Sequence, residues 1–136
     1  MTPLPRALPT RKLRPTLIIP ATIFMVILLA GWKAPDRAAR KPNPIPATEQ
    51  SLKVGKQIYL KECQDCHGSA GKGDGPAAKD MEEIPDLALS KIQKQTDGEL
   101  FYKISVGKKP MPGAEKNLTE EQRWHVVNYT RTFARK

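Results

Sequence analysis

The chain has two cysteines and two histidines in 136 residues, and its first 48 residues hold one acidic residue, Asp36. So few ligands fit a structural zinc site poorly. Such a site wants four Cys/His donors, and only His125 lies outside the Cys-Cys-His cluster. No convincing strand pattern occurs anywhere, so a thioredoxin-like dithiol lacks the strand-helix-strand unit that it needs. The length leaves room for one compact domain and little else. The shortage of acid at the front also explains the net charge of +9. Residues 1–48 hold eight Lys/Arg against Asp36, so seven of the nine positive charges lie there and two in residues 49–136. The excess belongs to the N-terminal arm, which argues against a nucleic-acid-binding domain.

Cys63-Gln64-Asp65-Cys66-His67 uses both cysteines in the one arrangement that holds a c-type haem covalently. Each thiol adds to a haem vinyl group, and two intervening residues match the separation of the vinyls. His67 then presents its imidazole to the iron from one side. The expected cofactor is a single haem c with its iron, and the expected role is electron transfer.

Residues 17–32 contain no charge, follow Arg11, Lys12 and Arg14, and end in Trp32 beside Lys33. They read as a transmembrane anchor. Sixteen residues make only about 24 Å of helix against a ~30 Å hydrocarbon core, and extending the count to residues 15–34 roughly repairs the deficit. The competing reading is a cleaved signal peptide. Small residues at −1 and −3 are poorly supplied, because a cut after Ala30 leaves Leu28 at −3 and a cut after Ala34 leaves Trp32 there. A lipoprotein route is closed, since Trp32 stands where the lipidated cysteine would be. Four Lys/Arg lie on each side of the run, so charge alone does not orient it. The expected organisation is a basic cytoplasmic segment at 1–16, an anchor at 17–32, a Pro-rich linker at 33–50 and a haem domain at 51–136. With Pro35, Pro42, Pro44 and Pro46, the linker reads as a polyproline-like tether. About 14 residues at ~3.1 Å each would let the head range ~40 Å.

The head reads as all-α. Leu52, Gly55, Ile58, Tyr59 and Glu62 fall at helical spacing and run into the haem motif. Thr96 and Glu99 form a capping box that opens a helix to Val106, with Gly107 as its stop. Thr119 and Gln122 repeat the device before a helix whose Trp124, Val126, Val127, Tyr129, Thr130 and Phe133 make a broad buried face. The run from Gly68 to Gly75 lacks the Gly-Lys-Ser/Thr ending of a phosphate loop and follows no strand. It reads as a loop wrapped around a cofactor.

From about Ser51 to Phe133 the chain resembles a class I cytochrome c of the small bacterial monohaem type, found free, anchored or fused to respiratory complexes. Gly55 and Tyr59 match that family's Gly/aromatic pair on the first helix, and Val126 and Tyr129 match their counterparts on the last. Cys-x-x-Cys-His-Gly followed by Gly71-Lys72-Gly73-Asp74-Gly75-Pro76, and Thr96-Asp97-Gly98-Glu99-Leu100, are similar to features of respiratory cytochrome c domains. The resemblance implies that the Pro85 carbonyl accepts the proton on the other nitrogen of His67. It also implies Met111, in the rigid loop from Gly107 to Gly113, as the second iron ligand. Met81, Met25 and Met1 are weaker candidates, and His125 is the rival. Thioether bonds in such families are made outside the cytoplasm, so the resemblance orients the head toward the periplasm of a bacterial inner membrane.

With His67 and Met111 both on the iron, outer-sphere electron transfer between a redox donor and an acceptor is the expected activity, not enzymatic turnover. A haem-bearing subunit of a larger oxidoreductase, such as a respiratory complex, keeps the same head. A small haem peroxidase needs a displaceable axial site, against which Met111 argues. Lys108 and Lys109 either dock an acidic partner or are ordinary solvated lysines.

Overall fold

The computed structural model describes residues 32–81 and 84–135. Lys33–Lys136 form one compact unit. Its helices are α1 (Asp36–Ala39), α2 (Glu49–Glu62), α3 (Gln64–His67), α4 (Ser90–Gln93), α5 (Asp97–Val106) and α6 (Glu120–Arg131), with 3-10 turns at Pro76–Asp80 and Ala114–Lys116. Among the described residues the only β pairing is one isolated bridge, Lys108 to Met111. The all-α expectation holds for this unit. None of its helices is long and apolar enough to cross a membrane. The expected anchor falls almost wholly on residues 1–31, outside the described ones.

Local chemistry sets the helix starts. Thr48 caps α2 by accepting from the Ser51 backbone N–H, and both expected capping boxes are present, at Thr96/Glu99 and at Thr119/Gln122. Gly107, at φ +69°, ends α5 in a backbone conformation that side chains other than glycine's resist.

The central packing is α2 across α6. Ser51, Gly55 and Tyr59 recur at four-residue spacing and are the buried residues of α2. A Cβ on Gly55 would overlap the His125 carbonyl oxygen and crowd Tyr129 Cβ, so the two backbones approach as closely as only glycine permits. One turn on, the Tyr59 ring lies 5.3 Å from that of Tyr129 and 5.1 Å from that of Phe133. Phe133 itself stands past the end of α6. On the opposite side of α6, Trp124 stacks on Phe101 at 4.0 Å, and with Leu100 and Val127 they form the core. Arg131 ties the end of α6 to the start of α5, donating to Asp97 Oδ1 at 2.6 Å and to the carbonyls of Gln93 and Gln95 at 2.8 and 2.6 Å.

The Pro-rich segment is where structure and sequence expectation part. Residues 34–48 are folded onto the head, not extended away from it. Thr96 Oγ1 donates to the Ala39 carbonyl at 2.6 Å, Lys41 pairs with Glu120 at 2.6 Å, and Ile45 packs against the core. Asn128, 4% exposed, satisfies its whole amide here. It donates to the Ile45 carbonyl at 3.0 Å and to Ser51 Oγ at 2.9 Å, and accepts from Asn43 Nδ2 at 2.7 Å. Proline content argued for a free tether because it blocks helix and sheet. Prolines equally suit an extended strap whose hydrogen bonds run to side chains of other elements.

If the α2–α6 approach requires glycine, Gly55→Ala should lower stability by about 1–3 kcal/mol through overpacking. Urea unfolding of the holoprotein measures this. Helix propensity alone would raise stability by about 1 kcal/mol, so a higher midpoint in the variant would contradict the reading.

Candidate functional site

The Cys-Cys-His motif begins where α2 ends. Cys63 caps that helix, its N–H donating to the Tyr59 carbonyl at 2.9 Å. The chain then turns directly into α3, with the Cys66 and His67 N–H groups both donating to the Cys63 carbonyl, at 3.3 and 3.0 Å. One helical turn therefore gathers Cys63, Cys66 and His67.

The glycine loop closes on the motif's own backbone. Gly73 N–H donates to the His67 carbonyl at 2.8 Å, Gly75 N–H to the Cys66 carbonyl at 3.2 Å and Gly71 N–H to the Gly68 carbonyl at 3.1 Å. Gly68, Gly71 and Gly73 all have φ between +71° and +76°, which is why three glycines recur here. The Tyr59 hydroxyl adds a bond that the sequence did not announce, donating to the Gly68 carbonyl at 2.8 Å inside the core. Burial, followed by the neighbouring charges of Cys63, Tyr129 and Asp74, raises its pKa well above that of a free phenol, so it stays a donor.

The two cysteines are unbridged and half-buried. Burial, with the Glu62 carboxylate and Cys66 adding to it, pushes the Cys63 thiol up to about 12. A redox dithiol or thiolate metal site needs the opposite shift, so Cys63 stays a neutral thiol at ordinary pH. Burial lowers the pKa of His67, which favours the neutral imidazole and a free ring lone pair. Its Nδ1 is buried and has no hydrogen-bond partner.

That orphaned nitrogen corrects one expectation: the Pro85 carbonyl does not accept from His67. The Ile84 to Leu87 segment docks on the glycine loop, with Leu87 N–H donating to the Gly71 carbonyl at 2.7 Å and the Ile84 carbonyl against Gly73. The imidazole is left without an acceptor from the chain.

Met111 sits on a tight loop between α5 and Ala114–Lys116. Its N–H donates to the Lys108 carbonyl at 2.8 Å, and Gly107 and Gly113 meet at the loop's base with no space for a side chain between them. Met111 and Cys63 line one cleft, whose walls include Ile104, Leu118 and Val126. Ile104 and Leu118 carried no signal in the sequence beyond being apolar. His125 is not in this cleft. Its Nδ1 lies 2.8 Å from Ser51 Oγ and its Nε2 3.7 Å from Glu121. Met81 is exposed at the surface.

Cys63 and Met111 share the cleft, and Cys66 and His67 follow Cys63 within one turn, so two thiols, an imidazole with an unpartnered buried nitrogen and a thioether form a donor set that suits haem c. The family model for cytochrome c oxidase, cbb3-type, subunit III matches residues 50–129. The chain belongs to that family. Its head is a cytochrome c domain, and such a domain carries haem c, covalently bound, with its iron. The chain is 30% identical over 87 residues to the quinohemoprotein alcohol dehydrogenase ADH IIB of Pseudomonas putida, a match covering 64% of this chain and 12% of that protein. Among solved structures, it is similar to a reducing HAO-like protein complex of Kuenenia stuttgartiensis, with 29% identity and a TM-score of 0.63. That match covers 68% of this chain and 47% of the other. A c-type cytochrome matches at 26% identity and a TM-score of 0.52 over 60% of this chain and 98% of its own. Cytochrome cL of Methylophaga aminisulfidivorans shares the fold, with 22% identity and a TM-score of 0.51, over 66% of this chain and 55% of its own.

Denaturing gels stained for haem peroxidase activity should show a band for the protein made with a working maturation system, and the Cys63→Ala/Cys66→Ala double variant should lose it. Persistence of the band in the double variant would show that the haem is held elsewhere.

Proposed function

We propose that this chain is a membrane-anchored monohaem c-type cytochrome that passes single electrons between redox proteins, with Cys63 and Cys66 as the attachment points and His67 and Met111 as axial ligands. The observation that carries the reading is the cleft shared by Cys63 and Met111. Haem c supplies a one-electron iron couple there. His67 offers an uncharged imidazole, and the loop between Gly107 and Gly113 presents the Met111 thioether. Thioether ligation favours the ferrous state and raises the potential relative to two histidines. Ile104, Leu118 and Val126 give the cleft an apolar wall, and apolar surroundings would limit reorganisation when the charge changes. With His67 and Met111 both holding the iron, neither peroxide nor a substrate would have a site to occupy, so a carrier fits these residues better than a peroxidase. Lys108 and Lys109 are exposed on the Met111 loop and give an acidic partner a place to dock.

A second reading has the head working as the haem-bearing module of a larger oxidoreductase. What favours it is the company it keeps: an oxidase-subunit family, a domain-sized part of a quinohemoprotein dehydrogenase and a member of a protein complex. The same electron-transfer chemistry serves both readings, and the partners differ. In either case the apolar run at residues 17–32 anchors the chain in a bacterial inner membrane with the head on the periplasmic side.

Met111→Ala should leave the haem covalently attached, remove the sulfur-to-iron charge-transfer band of the oxidised protein and lower the potential, with a gain of carbon monoxide and peroxide binding. His125→Ala should change none of these. If His125→Ala abolishes the native spectrum and Met111→Ala leaves it intact, the ligation is bis-histidine.

An anchored chain should remain with membranes through high-salt and carbonate washes. A mature N-terminus near residue 31 or 35 by mass spectrometry would show instead that the run is removed.

A further inference from the structure

The strap carries four cations within the nine residues that follow the apolar run in sequence. Residues 33–41 carry Lys33, Arg37, Arg40 and Lys41 against Asp36 alone, and all four cationic residues are exposed. Arg37, Arg40 and Lys41 line one open hollow of about 570 Å³, together with Pro35 and Ala38. Lys41 is compensated by Glu120. Among the described residues, Arg37 and Arg40 have neither an ion-pair nor a side-chain hydrogen-bond partner.

Exposed cations are usually solvated and spread apart, and contribute little. Here the backbone beneath them is fixed. α1 is held to the head by the Thr96 hydroxyl on the Ala39 carbonyl, and the Ala38 and Lys41 carbonyls pack so closely on Gly98 that a Cβ there would overlap them. The arginines therefore stand on backbone that is fixed to the head. They are also near the apolar run in chain length. Lys41 lies nine residue steps beyond Trp32, at most about 30 Å fully extended, and the helical turn of α1 shortens that.

We propose that the hollow of Arg37, Arg40 and Lys41 docks the head on the anionic phospholipid headgroups of the bilayer, each guanidinium pairing with phosphodiester oxygens. The proposal rests on the anchored reading and replaces free ranging at the end of a tether with a fixed orientation of the head against the membrane. Juxtamembrane cations act within a Debye length of an anionic surface, so the contact depends on lipid charge and on salt.

Linear dichroism of the haem absorbance in oriented bilayers, measured on the full-length holoprotein, tests it. Bilayers containing phosphatidylglycerol should give a fixed haem tilt, and pure phosphatidylcholine or high salt should abolish it. Arg37→Gln/Arg40→Gln removes exposed side chains that have no partners among the described residues, and an unchanged haem spectrum checks that the head is intact. Each cation removed should cut the docked-to-free ratio about fivefold, about 25-fold for the pair. Equal dichroism in both lipids, or equal dichroism in the variant, overturns the proposal. So does loss of the signal on adding inorganic phosphate but not chloride at matched ionic strength, which would mark a free-anion site. A chain that washes off in carbonate ends the anchored reading. Salt-sensitive binding of that chain to phosphatidylglycerol vesicles, lost in the double variant, would still support the docking, and equal binding to phosphatidylcholine vesicles would end it.

Discussion

The approach of Gly55 to the His125 carbonyl sets the geometry on which the rest of the head depends. A side chain at that point would push α2 and α6 apart. The Ser51, Gly55 and Tyr59 seam would then no longer deliver the C-terminal end of α2, with Cys63, to the same cleft as Met111. The connection runs through the C-terminal end of α6 and through its face toward α2. Its C-terminal end holds the start of α5 through Arg131, and α5 leads into the Met111 loop. Its face toward α2 fixes Tyr59, whose hydroxyl holds the peptide that follows His67. One close backbone contact thus relates two site-forming segments nearly fifty residues apart in the chain.

Much of this was legible in the sequence because the signals were local. A capping box needs only two residues three apart, and both were read correctly at Thr96 and Thr119. The 68–75 run reads in sequence as a loop wrapped around a cofactor, and the structure shows its glycines closing on the motif's own carbonyls. The Gly55/Tyr59 pair came through resemblance, because nothing in one sequence states which helix a glycine faces. What escaped was non-local. Asn43, Asn128 and Ser51 lie up to 85 residues apart, and no period or motif joins them. The strap was misread for that reason, since its partners belong to helices more than fifty residues away. The expected Pro85 bond failed because an orientation was inferred from a pattern of residue types, and the segment makes its backbone bond to Gly71 instead.

Burial of polar groups separates structure from site within the head. The Asn128 amide is buried and completely satisfied, and such a network specifies one arrangement of strap and helices because any slip would strand several groups at once. Ser51 Oγ serves the same cluster and also engages His125, which lies outside the cleft that Cys63 and Met111 line. His67 Nδ1 shows the opposite condition. A buried ring nitrogen with no partner costs roughly 1–3 kcal/mol, and the fold tolerates that cost within the haem-binding motif.

The two candidate axial donors are held by different means, and both means suppress movement. His67 lies in a single turn pinned through the carbonyls of Cys66, His67 and Gly68 by three glycine N–H groups and one tyrosine hydroxyl. Met111 rides on a loop whose glycines meet at its base. A one-electron carrier works fastest when its donors need not move between oxidation states, because any displacement adds to the barrier of every transfer. An enzyme that admits a substrate to its metal needs at least one donor free to leave. Backbone bonds on one side and a closed loop on the other favour the first behaviour, and that rigidity supports the carrier reading independently of the donors' chemical identity.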